Sequence, residues 1–182
     1  MDKEELQKEL LSYNPQMTSD ERLKAYFNGE SVDHLPYNIM SLDLVYGMNM
    51  GYGLKETDDV DNRIKIIKER TDEYKVYGIS EGLNLRAMGY AIGSTGIFPE
   101  DDTDHVDHYI LSDKLDMDLI ELPDPYNNKL LKKKLEDAKK LKANFPDQAI
   151  STFVAGPIST AAAIRPISKL LRDLRKNPEG VK

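Results

Sequence analysis

The sequence predicts an α/β fold, in which a parallel sheet carries helices on its outer side. From about Pro36 the hydrophobic patterns run strand, helix, strand, extended piece, helix, strand, helix, and such alternation favours parallel pairing. At 182 residues, 40% hydrophobic and 31% charged, the chain is long enough for one domain with its own core. A third observation is the stretch STFVAGPISTAAAIRP at 151–166, where a β-branched run meets Gly156-Pro157 and passes into small residues. No repeat, low-complexity tract or linker interrupts the chain, so 1–182 is read as a single domain.

Two helices are expected before the alternation begins. Residues 3–13 place Leu6, Leu10 and Tyr13 at helical spacing, and Pro15 ends that helix. In MTSDERLKAYFNGE, Thr18 caps the next helix and Glu21, three residues on, reaches back to it. Leu23, Tyr26 and Phe27 form its apolar side, and Gly29 suits the C-terminal stop.

After the connection at 33–36, Tyr37, Ile39 and Met40 read as a mostly buried strand. GMNMGYGLKETDD reads as a flexible, glycine-rich segment. A helix then starts near Thr57-Asp58-Asp59, with Val60, Ile64, Ile67 and Tyr74 on one side and a stop at Gly78. Residues 79–85 form a second predicted strand, and AMGYAIGSTGIF a third extended piece broken by glycines. PEDDTDHVDHY reads as a solvated loop, and SDKLDMDLIELPDP as a short helix and turn.

Residues 127–146 give the clearest helix, with Leu131, Leu135, Ala138 and Leu141 on one face. Its run Lys132-Lys133-Lys134 fits a solvated face better than a docking patch. Residues 149–155 are the last predicted strand. Two helical pieces separated by Pro166 follow, the second with Ile167, Leu170, Leu171 and Leu174 turned inward.

The turn at 156–157 has a physical logic. Gly156 permits unusual backbone angles and close ligand approach, and Pro157 suits a first helical turn because its missing N–H would be unpaired there anyway. Ser159 and Thr160 are placed to satisfy free donors, and Ala161, Ala162 and Ala163 let the helix press against the sheet. Such strand-to-helix turns open the face where open sheets and barrels bind ligands. A packing turn with no ligand explains the local sequence equally well.

Composition removes several function classes. The net charge of −7, with basic residues alternating with acids, opposes binding to nucleic acid or to an anionic membrane. No apolar run is long enough to span a bilayer, and MDKEELQKELL is charged where a signal peptide needs an apolar core. The chain has no cysteine, hence no disulfide, cysteine nucleophile or thiolate metal site, which fits a cytoplasmic protein.

Asp43, Glu81 and Asn84 lie near the ends of predicted strands, where capping a turn or pairing with a lysine is the favoured role and facing a pocket the alternative, with Glu81 then a proton acceptor or cation holder; Arg86 suits a structural salt bridge and anion binding equally. His105 and His108 sit among Asp101, Asp102, Asp104 and Asp107, but the spacing is loose and no metal site is assigned. His34 is expected to be structural. Met40, Met48 and Met50 suit core packing, with an apolar ligand surface as the alternative.

Three motifs in order, TSDERLKAYFNGESVDHLPYNIM, LNLRAMGYAIGSTGIFPEDD and the stretch from STFVAGPISTAAAIRP at 151–166 through LLRDLRKNPEGV, resemble the amino-terminal half of the uroporphyrinogen decarboxylase superfamily. That superfamily also holds zinc- and corrinoid-dependent methyltransferases that act with methylcobalamin and coenzyme M. The resemblance implies a partial TIM (β/α)8 barrel, its first few βα units preceded by N-terminal helices. A complete barrel needs roughly 250 residues. An oligomer, a swapped assembly or association with a missing half is therefore expected.

The resemblance also separates the two branches. The decarboxylase motif Met-Arg-Gln-Ala-Gly-Arg-Tyr aligns with Met40 and Tyr46, but Ser41 and Val45 replace its arginines. The decarboxylase aspartate that binds pyrrole N–H groups falls at Ser80, beside Glu81, and the decarboxylase tyrosine at Ala163. With few cations to hold a carboxylate-rich tetrapyrrole, the resemblance favours a methyltransferase acting on a small-molecule methyl donor or acceptor, with a corrinoid protein as a candidate partner. A lyase acting on another substrate and a non-catalytic, partner-binding half barrel are the alternatives. The methyltransferase zinc site uses a His-x-Cys pair and a distant Cys in the other half, so it implies zinc and a corrinoid for a complete protein and neither for this segment alone. Its pocket-wall candidates here are Met40, Asp43, Ser80, Glu81, Asn84, Gly156 and Pro157.

Overall fold

The computed structural model describes residues 2–12, 14–37, 39, 41–74, 78–100 and 102–181. Tyr13, Met40 and Asp101, and the side chains of Leu10 and Tyr74, lie outside what is described. The structure is rich in helix and its strands are short. It divides into two compact units, one built from the residues up to Ser80 with Asp137–Ser151, the other from Glu81–Glu136 with the residues from Thr152 on.

In the first unit, α1 (Lys3–Ser12) and α2 (Ser19–Phe27) occupy the expected places. The capping box forms: the Glu21 N–H donates to Thr18 Oγ1 at 3.2 Å, and the Thr18 N–H to Glu21 Oε2 at 2.9 Å. Gly29 follows with φ of +73°, the left-handed geometry that glycine adopts at low cost. Arg22 and Asp33 form a buried pair that ties α2 to the connection after it, with Nε to Oδ1 at 2.6 Å.

Tyr37 and Ile39, the described residues of the strand predicted there, lie in no strand and are 50% and 46% exposed. The chain instead enters α3 (Leu42–Asn49) and α4 (Leu54–Asp58), so the glycine-rich segment is largely helical. Gly47 explains why the two helices crowd: an added Cβ would lie 2.5 Å from the Thr57 side chain and 2.7 Å from that of Ile66. Next, α5 (Val60–Tyr74) packs Ile64 and Ile67 into a core with Ile79, Leu141 and Phe145. The stop expected at Gly78 abuts residues 75–77, outside the described residues.

Two residues of each predicted parallel strand pair as expected: β1 (Ile79–Ser80) lies beside β4 (Ile150–Ser151), with Ile79 opposite Ile150. The predicted lengths were greater, because the apolar runs 79–85 and 149–155 continue beyond the regular ladder.

In the second unit, the extended piece predicted at 87–98 is instead α6 (Ala87–Ile92) followed by β2 (Thr95–Ile97). The predicted acidic loop contains β3 (His105–His108), which pairs antiparallel with β2 through an irregularity between Thr95 and Gly96. A single 3-10 turn covers Met117–Leu119. Leu83, Ala87 and Leu131 form this unit's buried cluster, with Met88, Ala91 and Leu130 against it. Leu131 comes from α7 (Lys129–Asn144), on which Leu135 is 36% exposed, contrary to the predicted face.

Pro166 separates α8 (Pro157–Ile164) from α9 (Ile167–Lys176), as the sequence required. The small residues of α8 serve close packing against α6 rather than against the sheet. An added Cβ on Gly89 would stand 2.5 Å from Ala163 Cβ and 2.8 Å from its carbonyl oxygen. Arg165 locks the junction: buried, it donates from Nε to Asp173 Oδ2 at 2.6 Å and from Nη1 to the Leu111 carbonyl at 2.5 Å. Of the four α9 residues predicted to turn inward, only Leu170 is buried; Ile167, Leu171 and Leu174 are 52%, 60% and 51% exposed.

Candidate functional site

Asp43 and Ser80 are linked through Arg63 in the first unit, and both are engaged in structure. Asp43, in the first turn of α3, accepts from Arg70 Nε at 2.5 Å and lies 3.7 Å from Arg63 Nη2. The two arginines of α5 also reach the β1 segment, Arg63 donating to the Ser80 carbonyl at 2.8 Å and Arg70 to the Gly78 carbonyl at 2.9 Å. The long guanidinium stems thus hold strand and helices together. Met40, the remaining candidate near this turn, lies outside the described residues.

The other candidates belong to the second unit. Glu81 follows β1 directly and is only 2% exposed. Its Oε1 lies 2.9 Å from Lys134 Nζ on α7, so the carboxylate is a buried ion-paired group whose removal would strand a cation. This gives Lys134 a role that the reading of 132–134 as a solvated lysine run missed.

Beyond Glu81 the chain runs alongside the segment leading to Gly156. The Leu83 N–H donates to the Phe153 carbonyl at 3.1 Å. Gly82 is needed there, since an added Cβ would lie 2.1 Å from the Phe153 ring. These strand ends present Leu85, Phe153 and Val154 to solvent at 61%, 53% and 61% exposure, followed by Ile158 at 79%.

Gly156 caps α8 with φ of −68°, an angle open to any residue, so the unusual backbone expected there is not used. Nothing lies within 4 Å of an added Cβ, and the space over the turn is open. Pro157 occupies the first helical turn as expected. Neither Ser159 nor Thr160 caps the helix; the Thr160 hydroxyl instead reaches the Ala155 carbonyl at 3.5 Å.

Asn84 joins a cluster that the sequence did not reveal. The Tyr90 hydroxyl donates to Asp104 Oδ2 at 2.7 Å, Asn84 Nδ2 donates to Oδ1 at 3.3 Å, and Arg86 Nη1 lies 3.7 Å from the same oxygen. Burial and the adjacent Asp104 carboxylate push the Tyr90 hydroxyl well above its ordinary pKa. The missed signal was the hairpin, which carries Asp104 back to α6. The shape of TGI and HVDH around a proline-containing turn was the available clue.

His105 and His108 lie on β3, opposite Ile97 and Thr95. Among the described residues no group of three or more His, Cys, Asp or Glu is gathered as a metal site. His34 places Nδ1 2.9 Å from the Leu35 carbonyl, within its own turn. Met48 is 56% exposed on α3. No helix among the described residues is long and apolar enough to cross a membrane.

This arrangement is similar to a solved methyltransferase from Methanosarcina mazei, with a TM-score of 0.70 and 18% identity, over 91% of this chain and 50% of that one. At that identity the likeness speaks to the fold alone, and the chain spans about half the length of the methyltransferase. No curated protein matches the chain. The family model for uroporphyrinogen decarboxylase (URO-D) matches residues 18–182. The chain belongs to the uroporphyrinogen decarboxylase family.

Proposed function

We propose that residues 1–182 form the amino-terminal part of a corrinoid-dependent methyltransferase of this family, a partial barrel supplying one wall of a substrate pocket in a cytoplasmic enzyme. The observation that carries the reading is the likeness in fold to half of the Methanosarcina mazei methyltransferase. The exchanged side chains support it. Where the decarboxylase motif has arginines, Val45 is 55% exposed on α3 and Ser41 sits at φ of +60°. Where a decarboxylase tyrosine would project, Ala163 is pressed against Gly89, and a phenol there would drive α6 and α8 apart.

The open turn at Gly156-Pro157, with Asn84 on the adjoining strand end and Glu81 buried there in its pair with Lys134, would form the wall. A small methyl donor or acceptor and a corrinoid protein are the partners this reading requires. The family's zinc site does not fit this chain, which lacks the cysteines it needs. The ligands would have to come from outside these residues.

The test is the intact mass, zinc content and methyl transfer of the native protein from its source cells. The reading expects a mass near twice 20.7 kDa, with zinc and with transfer from methylcobalamin to a thiol. A native mass near 20.7 kDa with no such transfer overturns it.

A further inference from the structure

We infer that the outer face of α9 and the acidic segment 113–126 form one self-complementary surface, through which the chain pairs with a second copy of itself about a two-fold axis.

One side of the match is a basic amphipathic helix face. Ile167, Leu171 and Leu174 fall at i, i+4 and i+7 of α9, so they form a single stripe, and each is more than half exposed. Arg175 lies one turn beyond Leu171 and Lys176 follows it; both are exposed, and neither is ion-paired among the described residues. The one acid of the helix, Asp173, is turned inward onto Arg165.

The other side is acidic. Residues 113–124 hold Asp113, Asp116, Asp118, Glu121 and Asp124 against Lys114 alone. Among these acids Met117, Leu119 and Leu122 are more than half exposed, as is Tyr126 after them. Asp116 and Asp124 cap turns within the segment. Asp118 and Glu121 are exposed and carry no ion pair among the described residues.

Both sides belong to the second unit and start from one place. The segment leaves from Leu111 and Ser112, whose carbonyls accept from Arg165 and from Lys169 in the first turn of α9. A foreign acidic partner would match α9 alone, and a basic one the segment alone. A second copy matches both, each α9 meeting the other chain's acidic segment. Copies that each carry a net charge of −7 repel one another unless unlike patches face, so charge selects this pairing. Exposed ion pairs add little strength; the apolar side chains supply affinity, and the charges choose surface and register.

Sedimentation equilibrium on the full chain tests this, with the wild type expected to dimerise. Arg175→Glu with Lys176→Glu sets like charges opposite each other at both contacts, and so, separately, does Asp118→Lys with Glu121→Lys. Each double variant should dimerise about tenfold more weakly, or worse. An equimolar mixture of the two restores unlike charges at both contacts and should form a mixed dimer at close to wild-type strength. All four residues are exposed, so both variants should unfold near the wild-type temperature, and rescue in the mixture cannot come from misfolded components.

A monomeric wild type overturns the proposal. So does a variant that dimerises as tightly as the wild type, or a mixture no tighter than its components, since either assigns the dimer to another surface. None of these measurements uses methyl transfer. Failure here leaves the methyltransferase reading intact, and failure of that reading leaves this surface standing.

Discussion

Asp33 shows how one carboxylate organises the N-terminal segment. It receives Arg22 through Nε at 2.6 Å and Nη2 at 2.9 Å, and its oxygens accept the N–H groups of Gln16, Met17 and His34. The hydrogen-bonded Arg22 guanidinium, against the opposing effect of burial, holds the carboxyl well below the usual carboxylate range. A lowered folded-state pKa contributes stability that is complete above the unfolded value near 3.9 and is lost as pH falls through the folded value. Asp33→Asn should therefore cost about 3 kcal/mol at pH 7 by urea denaturation, since it leaves Arg22 buried beside a neutral amide. The gap from wild type should shrink steadily below about pH 4. A gap of constant size down to pH 2 would mean that the charge on Asp33 contributes nothing.

At the scale of elements, α9 offers the sharpest contrast. Leu170 is 6% exposed and Leu171 is 60% exposed, although the apolar pattern treats the two alike. Leu170→Ala should cost about 2–5 kcal/mol, whereas Leu171→Ala should stay within about 0.5 kcal/mol, both read from urea midpoints. Equal losses would place the packed face of α9 elsewhere. The same contrast explains what could be read from the sequence. Thr18, Pro157 and Pro166 act through backbone chemistry local to each residue, and their effects appear where expected. Leu135 and Leu171 carry helical periodicity, but periodicity does not say which part of an apolar stripe has a neighbour. Tyr37 and Ile39 look strand-like by composition, yet they lie exposed before a helix, where tertiary context overrides a weak propensity. Around the site, Glu81, Asn84 and Gly156 were recognisable as strand-end residues. Lys134 and Tyr90 were not, because their partners lie far along the chain.

The molecule as a whole leaves a good deal of apolar surface in water. Ile158, Ile167, Leu171 and Leu174 are more than half exposed, as are Phe153 and Val154. The sheet formed by β1 and β4 has two strands, so each keeps one side without a strand neighbour among the described residues. Surfaces of both kinds favour association. The isolated chain is expected to show concentration-dependent self-association by sedimentation velocity, and Leu171→Lys with Leu174→Lys should reduce it. A sample that stays monomeric across the accessible concentration range would contradict this expectation.

The pairing of Ile79 with Ile150 also sets a timetable for biosynthesis. Its partner is encoded about seventy residues later, so at roughly 5–20 residues per second β1 waits about 4–14 s on the ribosome before its ladder can close. Over that interval Ile79, only 1% exposed in the finished structure, is a naked apolar segment that a nascent-chain chaperone can grasp.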